Sequence, residues 1–320
     1  MFENKTVAVV VPAYNEEGFV GTVLETMPEI VDRVYVIDDC STDGTWDEIR
    51  RVANRLNKPL VADGGGTDDD RFIVPLQHDR NRGVGGAIKT GYINARDDGI
   101  DVTAVMGGDG QMDPAELERI VAPVARGRAD YAKGNRFLRA EDHEEMPRFR
   151  RIGSAALTLL TKIASGYWRI GDPQMGYTAI SNETLRTVGI EDMYEFYGYC
   201  NDLLVRLSVA DCRVADVPTA ARYGDETSHI TYTTYVPRVS LMLLRMFLWR
   251  LAVKRDTPGQ QLRSGLYLGG AFLTFVGTFA GVFRRVPSAL GAVLCGVLGI
   301  ALGMVTDAMI DRKRDENDDR

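Results

Sequence analysis

Lysine is scarce in this 320-residue chain: 7 lysines stand against 31 arginines, and 38 basic side chains against 45 acidic ones. The net charge of −7 and a pI near 5.2 leave no basic face for a polyanion, which argues against nucleic acid as a partner, since a phosphate backbone is held by clustered Lys and Arg. Cysteine is sparse too. Cys40, Cys200, Cys212 and Cys295 form no CxxC pair and have no histidine at metal-ligand spacing. That argues against a disulfide framework or a zinc site, and the thiols read as reduced and structural. The N-terminus lacks the basic start and apolar core of a cleaved signal. Glutamate is outnumbered by aspartate, 16 to 29. Short hydrated carboxylates with arginine for lysine fit a salt-adapted proteome, and GC-rich codon usage explains the arginine equally well.

What the chain does have is apolar content, 45% of residues, enough to bury a full α/β core and leave an appendage. Thr6–Val11 (T-V-A-V-V-V), ending at Pro12, reads as a buried parallel strand. Helix and strand then alternate: a helix over Glu17–Met27, a strand over Arg33–Ile37, a helix over Thr45–Leu56, a strand over Phe72–Gln77, a helix over Gly85–Arg96, a strand over Val102–Met106 and a helix over Pro114–Ala125 with Pro at its first position. This rhythm predicts a doubly wound, mostly parallel sheet with its site at the C-terminal strand ends. Gly64–Asp70 (G-G-G-T-D-D-D) reads as a solvated insertion.

The last 60 residues or so change character. Gly265–Phe283 and Ser288–Thr306 each run 19 residues without a charge, close to the roughly 20 helical residues that cross a hydrocarbon core. The link through Arg284, Arg285 and Pro287 is short enough to force a hairpin; a buried helix pair in a soluble protein is the competing reading. Basic residues at the outer ends (Lys254, Arg255, Arg263; Arg312, Lys313, Arg314) outnumber those in the link and predict both termini on the cytoplasmic side. Val236–Lys254 mixes large apolar residues with Arg238, Arg245 and Arg250, and reads as a helix in the membrane interface with its arginines near headgroups, or else as a packed domain helix. The expected divisions are 1–230, 231–260 and 261–320. Gly-rich spans permit a homo-oligomer.

Three strand ends are acidic: V-P-A-Y-N-E-E (11–17), D-D-C-S-T-D-G-T (38–45) and G-G-D-G-Q-M-D-P (107–114). Converging in one crevice, they suit hydrogen bonds to a base and ribose and, through a divalent ion, a diphosphate. Gly83–Gly86 (G-V-G-G) lacks the third glycine of a dinucleotide fingerprint. It supplies either a helix N-terminus open to anions, with Lys89 one turn in, or a structural turn. Asp113, directly before Pro114, is the better helix-capping candidate, and a capping role competes for Asp109 too.

Together these motifs resemble the family 2 glycosyltransferases of GT-A fold, specifically the dolichyl- or polyprenyl-phosphate sugar synthases, over about residues 5–230. The resemblance implies a GT-A catalytic domain followed by an interfacial helix and a two-helix transmembrane hairpin. It assigns Pro12, Ala13, Tyr14, Glu16, Asp38 and Asp39 to the nucleotide, with Lys89 added from the glycine-rich helix start. The family's D-x-D falls on Gly107, Gly108 and Asp109, so one carboxylate is kept, and Asp109 with Gln111 would hold Mg²⁺ or Mn²⁺. Arg136 and Arg151, in K-G-N-R (133–136) and R-F-R-R (148–151), match the acceptor region, where a bidentate guanidinium receives a lipid phosphate. G-D-P-Q-M-G-Y (171–177) places Asp172 near the reacting carbon, and Arg222, Glu226 and Ser228 match a loop closing over phosphates. Asn201-Asp202 falls where relatives carry an acidic pair with a base.

These expectations amount to a hexosyltransferase at the cytoplasmic face of a membrane. It would pass a hexose, UDP-glucose slightly favoured as donor, to dolichyl phosphate by inverting displacement for N-glycan or glycolipid assembly, an archaeal pathway being a natural home. Competing readings are a glycan or glycolipid acceptor, and a catalytically dead scaffold that binds nucleotide sugar.

Overall fold

The computed structural model describes residues 1–62, 72–138, 148–219, 232–284 and 289–318. The insertion expected at 64–70, and Arg222, Glu226 and Ser228, lie outside them. Seven strands form one sheet in the order β3-β2-β1-β4-β6-β5-β7. They are β1 (Val7–Ala13), β2 (Arg33–Asp38), β3 (Ile73–Gln77), β4 (Val102–Val105), β5 (Tyr131–Asn135), β6 (Thr178–Ser181) and β7 (Val214–Pro218). The pairs β1·β2, β1·β4, β2·β3 and β5·β7 are parallel, whereas β6 runs antiparallel to β4 and β5. The mostly parallel sheet expected from sequence is therefore present, with one reversed strand that the chain reaches after a long excursion.

Alternation along β1 divides the core in two. Val7, Val9 and Val11 face α1 (Val20–Glu25), α2 (Thr45–Ala62) and α4 (Leu117–Ala125); Ala8 and Val10 face α3 (Val84–Asp97), with α6 (Asn182–Thr187) and α7 (Tyr199–Val209) on that side. The first helix starts later than its pattern suggests, at Val20. Asn15 and Gly18 both take positive φ (57° and 87°), so residues 15–18 form a loop instead of a first turn. At the fourth expected helix, Asp113 caps a short 3₁₀ turn (Pro114–Glu116) by accepting the Ala115 N–H at 3.0 Å, and α4 proper follows.

Behind the sheet, α5 (Arg148–Ser165) and α8 (Tyr232–Val253) pack together beside α7 through Ala164, Val205, Val239, Met242, Leu243 and Met246. The outer face of α8 exposes Leu241, Leu244 and Leu248 beside Arg238 and Arg245, and α5 exposes Leu159 and Leu160. So α8 is a packed domain helix on one side and an apolar surface on the other. Arg250 departs from the expected headgroup position. It is buried, with its guanidinium on Asp307, because a charge on the packed face needs a partner inside the protein.

Two long apolar helices, α9 (Pro258–Arg284) and α10 (Ala289–Asp318), lie side by side and are long and apolar enough to cross a membrane. Small residues let them touch: a Cβ added to Gly270 would fall 2.6 Å from the Gly296 carbonyl oxygen.

Candidate active site

The tips of β1, β2 and β4 are knitted into one crevice by the backbone. The Gly108 N–H donates to the Pro12 carbonyl at 3.1 Å, and the Asp39 N–H to the Ala13 carbonyl at 2.9 Å. Side chains extend the stitching: the Thr42 N–H donates to Asn15 Oδ1 at 2.8 Å, the Glu16 N–H to Thr45 Oγ1 at 2.8 Å and the Gly44 N–H to Glu17 Oε2 at 3.0 Å. Polar residues of the first two motifs thus hold one another, leaving Tyr14, 45% exposed, at the rim.

Asp38 and Asp39 come to this edge and turn inward. Asp38 is wholly buried and accepts from Gln77 Nε2 at 2.9 Å. Asp39 is bonded to His78 Nδ1 at 2.7 Å and accepts the N–H groups of Arg82 and Gly83 at 2.8 and 2.7 Å; His78 Nε2 lies 2.9 Å from Thr90 Oγ1. These contacts make Asp39 the organiser of the turn into α3.

The glycine-rich start of α3 is a structural turn. The Gly86 N–H donates to the Glu195 carbonyl at 2.8 Å, and a Cβ on Gly85 would overlap the Tyr194 carbonyl. Lys89 is likewise not available to an anionic ligand: it is buried, donates to the Glu191 carbonyl at 3.0 Å and pairs with Glu195 at 2.8 Å. Burial works against the ionised Glu195 carboxylate, but hydrogen bonds from Arg82 and Lys89 outweigh it and hold its pKa down to about 2.

Asp109 is half-buried at the tip of β4 and accepts the Gln111 N–H at 3.0 Å. Gln111 is exposed beside it. A Cβ on Gly107 would sit 2.8 Å from Asp109 Oδ1, so the carboxylate leans over the place where a first D-x-D acid would rise. No group of three or more His, Cys, Asp or Glu able to hold a metal occurs among the described residues. One carboxylate and one amide oxygen are hard donors, too few for a closed cage but suited to a Mg²⁺ or Mn²⁺ ion completed by substrate phosphates.

Sequence reasoning missed Tyr197. It is 52% exposed, and its hydroxyl pKa is raised by partial burial and by the nearby charges of Glu16 and Asp109. Its loop is anchored on every side. The Tyr194 N–H donates to Asp202 Oδ2 at 3.1 Å, Glu195 is fixed by α3, and a Cβ on Gly198 would lie 3.1 Å from Val239 of α8. The aromatic run Y-E-F-Y-G-Y (194–199) before Asn201 was the available signal.

Arg136 and Asp172, expected as separate agents, meet each other. Arg136 Nε and Nη2 donate to the two oxygens of Asp172 at 2.7 and 2.9 Å, and the Asp172 backbone is held at φ 40°. With its carboxylate buried under this bidentate pair, Asp172 orients the guanidinium and does not present a bare acid to a sugar carbon. Lys133 is buried on Gly171 and Asp216. The Arg151 backbone lies in the first turn of α5, and its side chain is outside the description. Asp202 is buried on Arg206 (2.8 Å); burial raises its pKa despite Arg206 and the Tyr194 N–H.

A mostly parallel sheet with an acidic crevice at its strand tips is the GT-A-like arrangement. Among solved structures, glucosyl-3-phosphoglycerate synthase from Mycobacterium tuberculosis, in complex with Mn²⁺, UDP and phosphoglyceric acid, is similar with a TM-score of 0.54 at 17% identity, over 80% of this chain and 81% of that one. Residues 8–189 match the model of glycosyl transferase family 2, and the chain belongs to that family. Its relatives include UDP-N-acetylglucosamine–dolichyl-phosphate N-acetylglucosaminyltransferase of Methanococcus voltae, 24% identical over 69% of this chain and 88% of the relative. Another is undecaprenyl-phosphate mannosyltransferase of Micrococcus luteus, 29% identical over 66% and 82%.

Proposed function

We propose that the chain transfers a hexose from a nucleotide sugar to dolichyl or another polyprenyl phosphate at the cytoplasmic membrane face. The observation carrying this reading is that the loop presenting Tyr197 to the crevice packs at Gly198 against α8, whose other face is apolar and which leads into the α9–α10 hairpin. A crevice built onto such helices suits an acceptor that arrives from a bilayer. The relatives named above support the acceptor class, since their sugars differ while both act on a polyprenyl-type phosphate. UDP-linked donors are favoured by the Methanococcus relative and by the UDP in the Mycobacterium structure. UDP-glucose is our donor, with UDP-N-acetylglucosamine its competitor.

In this reading Tyr14, Glu16 and the Pro12–Ala13 edge bind the nucleotide, and Asp109 with Gln111 hold Mg²⁺ or Mn²⁺. The bound ion would neutralise the leaving diphosphate. Arg136, aimed by Asp172, and Arg151 at the start of α5 receive the lipid phosphate, with Arg222 and Ser228 as further candidate ligands for it. A phosphate monoester is already ionised at neutral pH, so its oxygen attacks in line without a protein base, and the sugar inverts. Asp202 then serves only to brace the Tyr194 loop.

Membranes containing the protein, incubated with labelled UDP-glucose, UDP-N-acetylglucosamine or GDP-mannose plus dolichyl phosphate and Mg²⁺, should yield lipid-linked label from one UDP-sugar. No lipid label with any donor refutes the synthase reading and favours the binding-only scaffold that Gly107 invites. Asp202→Asn separates the acceptor classes: the amide oxygen can still accept the Tyr194 N–H while the Arg206 ion pair is lost, so turnover should fall only in part for a phosphate but be abolished for a glycan hydroxyl that needs a base.

A further inference from the structure

Outside the crevice, charge is concentrated where the hairpin meets the sheet domain. Arg250 of α8, Arg263 of α9 and Asp307 of α10 are each only 2% exposed. Arg250 Nη1 and Nη2 donate to the two Asp307 oxygens at 3.0 and 2.7 Å, Arg263 Nη1 donates to Oδ1 at 3.4 Å, and the Tyr267 hydroxyl to Oδ2 at 3.3 Å. The arginines also reach outward: Arg250 Nη2 donates to the Ile163 carbonyl near the end of α5 at 2.9 Å, and Arg263 Nη2 to the Lys254 carbonyl at 2.8 Å. One turn along α10, Asp311 accepts the Trp168 N–H at 2.8 Å, and Lys254 pairs with Asp211.

Gly166, at φ +79°, completes the fit, because a Cβ there would overlap Arg250 Nη1. A buried pair of this kind adds little net stability, since desolvation offsets the attraction. What it adds is geometry: apolar helices can slide past one another, whereas a bidentate carboxylate fixes both direction and depth. The fixed point meets α5 at Ile163, near one end, and the arginine-bearing turn at 148–151 lies at the other, roughly 20 Å away along the helix.

We propose that Asp307 is a positioning residue which, by clamping Arg250 and Arg263, sets the height of the crevice above the bilayer so that a lipid-borne phosphate meets it. The proposal rests on the lipid-phosphate reading for its kinetic consequence and not for its structural one. Full-length protein in nanodiscs is spin-labelled at native, exposed Cys295 of α10 and at exposed Glu118 of α4 (Glu118→Cys, Cys40→Ser background). A narrow distance distribution is expected for the parent and a broad one for Asp307→Asn.

Should Asp307→Asn not fold, the apolar replacement Arg250→Met, Arg263→Met, Asp307→Leu keeps the volume without stranding a charge and should broaden the distribution equally. In either variant, KM for dolichyl phosphate in phosphatidylglycerol vesicles should rise about tenfold or more, the scale of small misplacements, while KM for water-soluble citronellyl phosphate stays within about twofold. Unchanged distance widths overturn the clamp, as does an equal loss with both acceptors. A parent that labels neither acceptor refutes the transferase reading alone, because the distance measurement still judges the clamp.

Discussion

In the proposed reaction Asp109 acts alone where the family pattern has two acids, and Gly107 explains how: without a side chain there, the carboxylate leans back over its own strand tip. An ion held there by Asp109 and Gln111 would need the donor diphosphate to complete its ligands, so protein and donor would bind it together. Asp109→Ala removes the one charged protein ligand, worth about 1.5–3 kcal/mol for a charged contact, or roughly tenfold to hundredfold in affinity. Titration calorimetry of UDP with Mn²⁺ should show that loss, and chelator should abolish the difference between parent and variant. Glu195 is the other residue with a measurable signature. Its carboxyl is depressed from 4.5 to about 2, so the contacts of the ionised form stabilise the fold above pH 4.5 and are lost as pH falls from 4.5 toward 2. Glu195→Gln should therefore lower the melting temperature at neutral pH, and the two melting curves should converge in that acid window; parallel curves would contradict the ion-pair account.

At the scale of elements, the 194–198 loop brings Tyr197 to the crevice built by the strand tips, and α3 is its support. Gly85 is where they meet. An alanine there would drive its methyl into the Tyr194 carbonyl, so Gly85→Ala should cost about 1–3 kcal/mol, the range for overpacking, and should weaken UDP-sugar binding by displacing Tyr197. Thermal unfolding followed by circular dichroism, alongside donor titration, checks both effects. This contact also shows where sequence reading stops. β1, β2 and β4 were legible because β-branched runs ended at turn residues, and Asp113 was legible as a cap because its bond is local. The partners of Lys89 and Asp39 were not legible because they lie elsewhere in the chain: Glu195 lies 106 positions beyond Lys89, and His78 lies 39 beyond Asp39. A helix start bare of partners in sequence is covered by a loop in space. The Arg136–Asp172 pair, 36 residues apart, escaped notice likewise, although each residue was singled out.

For the whole molecule, the question is which side of the membrane the sheet domain faces, and charge supplies the argument. Lys254 and Arg263 are engaged inside the folded protein, with Asp211, the Lys254 carbonyl and Asp307, so they do not act as free flanking charges in the final structure. The positive-inside bias acts during insertion, before α8, α9 and α10 have assembled, so both still count with Arg255 and Arg312 against Arg284 and Arg285 in the link. A buried cluster formed afterwards would keep whatever orientation the same residues had set. This predicts that an epitope tag placed after Arg320 is protected from protease in intact spheroplasts and digested in inverted membrane vesicles, with the sheet domain behaving the same way. Digestion in spheroplasts would put the crevice outside the cell, away from nucleotide sugars, and the proposed donor chemistry would then fail on topology alone, whatever the crevice geometry.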